Sequence, residues 1–362
     1  TARAEGDIII VEKAGDMNVE GMYSEGDIYL KSQGSIVDAL DHDFTKLAAQ
    51  RIELTALTGG IGETGDYLEI DVASAETFTA DAYGSILLAE TLGDMNIERV
   101  ASSHGDVDLW ADMSILDALN LPAAEIIGNS ISLTANYGGI GVSGNEIDID
   151  SAYSAEGVLT SSSALANTYI IEPIGDISVH EVGTGTGYTA FVTALAGSIL
   201  NGRTDGGSNV TSGNAYLIAS NNIGADGKPL FTTVGHIEGK SIAGGTWIVN
   251  DGDLYEGGVP ETGTPGMTSG GGIELTALSP ITVTEDIIDT SSASIILTAT
   301  ENPGAVDDIT ILSGRVIRST GGGDIYFYVG DNFTLETGAV IETSGNVYIS
   351  TDPGSADDLG SI

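Results

Sequence analysis

Cysteine is absent from the 362 residues. That excludes a disulfide scaffold, thiolate metal sites and cysteine nucleophiles. Basic residues are nearly as scarce: 11 lysines and arginines stand against 53 acids, a formal net charge of −42. Phosphate binding needs a basic stripe, so nucleic acid is a poor partner, and an anionic membrane surface is disfavoured for the same reason. No apolar run approaches the roughly 20 residues of a membrane span, so direct insertion is not expected. Strongly periodic helical stretches are missing, and no charged-then-apolar leader precedes the first strand. The chain opens on Thr1 rather than Met and reads as a fragment or processed piece of something larger. Cations, basic surfaces and neutral glycans are the partners that this charge leaves open.

Glycine is what the chain has in excess, 51 residues against 8 prolines. The collagen period is absent, so these are turn residues. Hydrophobic residues make up 41%, enough for a continuous core despite the charge. Ser130–Asp150, SISLTANYGGIGVSGNEIDID, reads as strand, glycine-rich turn and strand, with apolar and polar residues alternating on either side. The same phrase occurs at Arg51–Asp71, at Ala215–Thr233 and, worn, at Ile295–Ile311. Its turn glycines, Gly62, Gly141, Gly224 and Gly304, are 79, 83 and 80 residues apart. A second marker, Gly-Asp before a short apolar alternation, recurs at Gly15, Gly93, Gly175, Gly252 and Gly330 in the same rhythm. Two markers in one beat define a tandem repeat.

The repeat gives modules at 6–83, 84–165, 166–243 and 244–321 and a partial fifth at 322–362, read as one continuous solenoid. A module of ~80 residues makes about four coils of ~20, and about 15–18 rungs in all. This is the arithmetic of an all-β, right-handed parallel β-helix. A string of β-sandwich domains has comparable lengths, but the module boundaries run straight from strand to strand. Trp110 and Trp247 also fall at different module positions, so no aromatic core marker recurs.

IELTALTGGIGETGDYLEID, ISLTANYGGIGVSGNEIDID and AYLIASNNIGADGKPLFTT resemble the repeats of filamentous-haemagglutinin-like exoproteins, giant bacterial surface proteins and adhesins with right-handed β-helical shafts. The resemblance covers residues 6–362 in register and is most specific in those three stretches. It implies a secreted or cell-surface location and a shaft architecture.

Catalytic motifs do not assemble. His42, His104, His180 and His236 share no metal-ligand spacing, no Ser sits in a G-x-S-x-G elbow, and Lys240-Ser241 lacks the phosphate-loop glycines. Gly183–Gly187, GTGTG, has no following helix pattern to make a dinucleotide fingerprint. Acid pairs such as Asp148/Asp150 and Glu69/Asp71 share a strand face, but 53 acids produce such pairs without purpose. Asn250-Asp251-Gly252-Asp253 is half of a calcium loop, which makes Asp251 and Asp253 the metal candidates; no other cofactor is expected. Recognition is expected on the excursions that follow the SIV-type strand, 41–50, 120–129, 202–213 and 285–294, because same-position loops of a solenoid share one side. A helix is conceivable in the first of these, although Pro122 argues against one in the second. The expectation is a non-enzymatic structural or adhesive shaft segment of a large secreted surface protein, or of an extracellular filament. It joins adjoining chain or further copies end to end and meets a glycan or other cell-surface ligand. The alternative is a carbohydrate-active β-helix, a polysaccharide lyase or hydrolase.

Overall fold

A computed structural model describes residues 1–40, 42–74, 76–151, 153, 157–260, 262–263, 266–301 and 306–351. They form strands and turns; no helix occurs among them, and so none long and apolar enough to cross a membrane. The strands pair in parallel, each with the strand one turn before and one turn after, giving a β-solenoid of about 15 turns. The chain divides into two compact units, Thr1–Ser178 and Val179–Ile362, each built this way.

Period-two alternation sets the two faces of each strand. In Ile131–Ala135, Ile131, Leu133 and Ala135 point inward while Ser132 and Thr134 point out. In-register pairing then stacks like on like. In the first unit Ile28, Ile52 and Phe78 form one buried ladder and Val107, Ile131 and Leu159 another. In the second unit Ile273, Ile295 and Ile325 do the same beside Ile281, Ile309 and Phe333. Ladder partners stand roughly 20–30 residues apart, longer than a uniform coil of ~20, because tight hairpins and excursions are inserted between strands.

The glycine-rich phrase is more than a turn. Its central isoleucine belongs to the core: Ile61 bridges Ile36 and Ile86, Ile140 bridges Ile115 and Thr168, and Ile223 bridges Ile199 and Thr246. The polar residues that follow close a tight hairpin, with antiparallel bridges Glu63–Asp66, Val142–Asn145 and Ala225–Lys228. Gly141 has φ +64°, and a Cβ there would stand 2.6 Å from the carbonyl oxygen of Tyr169 in the next turn. Gly62 and Gly224 have the same conformation and press against Leu87 and Trp247 in the same way. Gly304 lies outside the described residues.

The Gly-Asp marker also has a mechanical role. Asp16 Oδ1 accepts the N–H of Ser35 at 2.7 Å and Asp94 Oδ1 that of Ser114 at 2.9 Å, each one turn ahead. Asp7, Asp106 and Asp324 do likewise for Asp27, Ser130 and Asn346. Corner N–H groups that no strand can satisfy are thus met by exposed or half-buried carboxylates.

Two expectations are corrected. The first excursion contains no helix among its described residues; Leu47–Ala49 is a strand whose Leu47 fills the core. The fourth excursion is not 285–294, which holds the regular strand Ile287–Asp289. It runs between the strands Leu254–Glu256 and Met267–Ser269. Leu254–Glu256 takes the place of Ile36–Asp38, since Gly257 N–H donates to Ile237 O as Ala39 N–H donates to Val19 O.

Gly141→Ala and Gly144→Ala separate the two demands on glycine. Both sites have positive φ, but nothing stands within 4 Å of a Cβ at Gly144. Gly144→Ala is expected to cost about 1–2 kcal/mol for the left-handed backbone alone. Gly141→Ala should cost clearly more in denaturant unfolding, because the neighbouring turn must shift.

Candidate functional site

Polar residues turn inward at two recurring places. The first lies just ahead of the Gly-Asp corner. Glu90 is fully buried and accepts the N–H groups of Val72 at 3.0 Å and Leu92 at 3.2 Å. Glu172 accepts the N–H and hydroxyl of Ser151, at 3.0 and 2.8 Å. Asn250 accepts the N–H of Val234 at 3.0 Å. Burial pushes the Glu90 carboxyl up to about 8 and Glu172 to about 7.

The second place lies under the excursions. Lys46 is fully buried, with its ammonium 2.5 Å from Asp38 Oδ2 and 3.0 Å from Glu69 Oε2, and it donates to the carbonyl of His42. Burial works against the ammonium, but hydrogen bonds to both acids outweigh it and hold its pKa above the ordinary lysine value. Asp38, Asp66 and Glu69 bring carboxylate oxygens within 4.8 Å of one another, the one such group among the described residues, and the lysine sits among them as an internal cation. The next copy reverses the charge. Asp117, Glu125 and Asp148 take the places of Asp38, Lys46 and Glu69: Glu125 N–H donates to Asp148 O as Lys46 N–H donates to Glu69 O. Burial first, then the Asp117 charge, pushes Glu125 up to about 9 and Asp148 to about 6. In the third copy the pair is neutral, Asn209 Nδ2 donating to Asn201 Oδ1 at 3.0 Å.

Above the lysine cluster a groove opens on the outer face. Glu69 pairs with Ala89 and Ala89 with Trp110, so the three side chains stand in a row across adjacent strands. The small Ala89 leaves a hollow of about 420 Å³ between carboxylate and indole, bounded also by Asp43, Tyr67 and Thr91. Tyr67 donates to Asp108 Oδ2 at 2.7 Å; burial and that carboxylate hold its phenol protonated. Thr45 on the excursion meets Thr91 at 2.6 Å and ties the loop over the groove. The hollow thus sets an aromatic face beside convergent carboxylates and hydroxyls.

The metal candidates read from sequence stand elsewhere. Asp251 and Asp253 are exposed, Asp253 accepts the Ser279 hydroxyl at 2.7 Å, and neither belongs to a cation-sized group of three acids among the described residues. The buried member of that stretch is Asn250, which also donates to the carbonyls of Val234 and Gly252, each at 3.2 Å. Three histidines have aromatic neighbours of their own: His42 meets Phe44, His104 stacks on Tyr83 and His236 on Tyr255. Of the acid pairs Asp148/Asp150 and Glu69/Asp71, Glu69 is held by Lys46, and the Asp148 N–H donates to Glu125 Oε1 at 2.8 Å. Sequence reading passed over Glu90, Glu172 and Lys46. A Glu or Asn stands two or three residues ahead of Gly15, Gly93, Gly175 and Gly252, and that was the available signal. No protein-family profile, curated protein or solved structure matches this chain.

These buried acids fix a pH dependence. Their native pKa lies above the ordinary glutamate value of 4.5, so the native state favours the protonated form. The stability this contributes is complete below that value and is lost as pH rises to about 7, 8 and 9 for Glu172, Glu90 and Glu125 in turn. Tm is therefore expected to fall between pH 5 and pH 9, and Glu125→Gln should flatten the curve at its alkaline end. Lys46→Met should do the opposite. At pH 7 it leaves Asp38 and Glu69 buried without a cation, at a cost of about 3–5 kcal/mol. The deficit should shrink as acid protonates them, which unfolding curves of the variant at pH 4.5 and pH 7 would show.

Proposed function

We propose that this chain is a structural and adhesive shaft segment of a large secreted surface protein of the filamentous-haemagglutinin-like kind. It is not an enzyme in this reading, and it continues end to end into adjoining chain or further copies. One observation carries the proposal: the aromatic and acidic groove hangs from an excursion and leaves the buried ladders beneath it unbroken. A solenoid can thus present a ligand surface without altering its core. The groove suits a neutral sugar. A pyranose ring offers C–H groups to the Trp110 face and hydroxyls to Asp43, Thr91 and the carboxylate edge of Glu69.

A carbohydrate-active reading is kept for one reason. Two carboxyl groups, Asp43 and Glu69, line the same hollow as an aromatic platform, and burial holds Glu69 above its ordinary pKa. One experiment separates the two. The full chain is applied to an array of neutral and acidic glycans, and the same glycans are assayed for chain cleavage. Binding without cleavage, weakened about tenfold or more by Trp110→Ala and retained in Trp247→Ala, is the expected outcome. Cleavage that disappears in Glu69→Gln would replace the adhesive reading with the enzymatic one.

A further inference from the structure

The buried polar place beneath the fourth excursion has acids but no lysine at the position of Lys46. Backbone hydrogen bonds set the correspondence. Lys46 O accepts the N–H of Met22, and Gly266 O accepts that of Gly239. Leu47 pairs with Ile70, and Met267 with Ile287. Glu256 therefore stands where Asp38 does, Gly266 where Lys46 does, and Asp286 where Glu69 does. The ammonium that balances the first copy is replaced by the bare backbone of Gly266. The position a Cβ would occupy there lies 2.5 Å from Glu256 Oε1.

Glu256 is fully buried, and neither of its carboxylate oxygens makes a well-formed hydrogen bond among the described residues; the neighbouring Met267 N–H, which favours its charged form, donates to the Asp286 carbonyl at 3.1 Å instead. Glu90 and Glu172, also fully buried, each accept backbone N–H groups. Glu285, Glu238 and Asp286 surround Glu256 closely enough to act on its charge. Glu238 is held by the Val259 N–H at 2.7 Å and the Thr262 hydroxyl at 2.6 Å, and Glu285 Oε2 accepts the Gly266 N–H at 2.7 Å. A buried carboxylate without a well-formed hydrogen bond costs several kcal/mol unless something positive meets it.

We propose that this pocket is a divalent-cation site of the calcium type, with the Glu256 carboxylate as its central ligand and Glu285 and Asp286 as its further acids. The chemistry is all oxygen. His236 is the imidazole nearest the loop, and its Nδ1 is already hydrogen-bonded to the Gly257 carbonyl at 2.9 Å. Gly257, Gly258 and Gly266 all have positive φ, which lets the backbone fold closely around the carboxylate. An irregular oxygen site without bulk water favours calcium over magnesium, which gives up its water shell reluctantly. No three acids here come within 4.8 Å of one another, as Asp38, Asp66 and Glu69 do around their lysine. A cation is expected to draw Glu285 toward Glu256.

The test is thermal unfolding of the full chain at pH 8 in chelator, in millimolar CaCl2, in MgCl2, and in NaCl of matched ionic strength, with calorimetric titration of calcium. The expected result is a calcium-specific rise of several degrees and saturable binding. In Glu256→Gln that rise is abolished, and Tm in chelator is higher than for the unaltered chain. Glu285→Gln, on the rim of the pocket, should weaken calcium binding about tenfold while the protein stays folded. Asp251→Asn/Asp253→Asn should leave the response intact. The proposal is overturned if calcium does no more than magnesium or sodium, if its effect survives Glu256→Gln and Glu285→Gln, or if it is lost only with Asp251 and Asp253.

Discussion

Each turn of this chain completes its hydrogen bonding with the turns before and after it. A lone coil exposes a row of N–H and C=O groups on both sides and an apolar face it cannot cover. Parallel in-register pairing meets both needs at once, because the strand that satisfies the backbone also places isoleucine on isoleucine. Ile28, Ile52 and Phe78 show this in one unit, and Ile273, Ile295 and Ile325 in the other. Regular strands require interruptions of fixed geometry, which is why glycine at positive φ returns where one turn's backbone crosses close to the next.

The acidity follows partly from the same constraint. Corners break the ladder and leave N–H groups without a strand partner. Asp7, Asp16, Asp94, Asp106 and Asp324 each accept one of them from the following turn. A carboxylate suits this role because it accepts without donating and makes a strong charge-assisted bond. A share of the −42 charge is thus built into the turn chemistry. The outward side chains, in contrast, are free to vary, and there the row of Glu69, Ala89 and Trp110 gains a hollow simply because its middle member is small.

The inward polar residues show how one backbone frame accommodates different charge states. Asp38 with Lys46, Asp117 with Glu125, Asn201 with Asn209 and Glu256 with Gly266 occupy corresponding places under successive excursions. The first is balanced by a lysine and the third is neutral. The second relies on burial to keep a proton on Glu125, and the fourth leaves a buried carboxyl with no well-formed hydrogen bond among the described residues. Buried charge of this sort rarely adds net stability over apolar packing, and the neutral Asn201–Asn209 pair shows that the frame does not require it.

The sequence by itself determined the architecture. Period-two alternation, the ~80-residue beat, and the Gly-Ile-Gly and Gly-Asp corners placed strands such as Ile52–Ala56 and Ile131–Ala135 and made a parallel solenoid the consistent reading. These signals are local, and local chemistry dictates them. What only the tertiary structure decided is which residues from neighbouring turns meet. Ile61 and Ile140 looked like turn residues and proved to be core, because the bridge that buries them comes from a strand roughly 25 residues away. Lys46 carries no mark in its neighbours along the chain that its side chain is inward, and Glu90 only its recurring place ahead of the Gly-Asp corner. The fourth excursion was misplaced because a lengthened loop shifts the apparent beat, whereas hydrogen-bond register does not shift. Register between distant residues is a property of the stacked chain, and it alone put a lysine among three acids in one copy and a bare carboxylate in another.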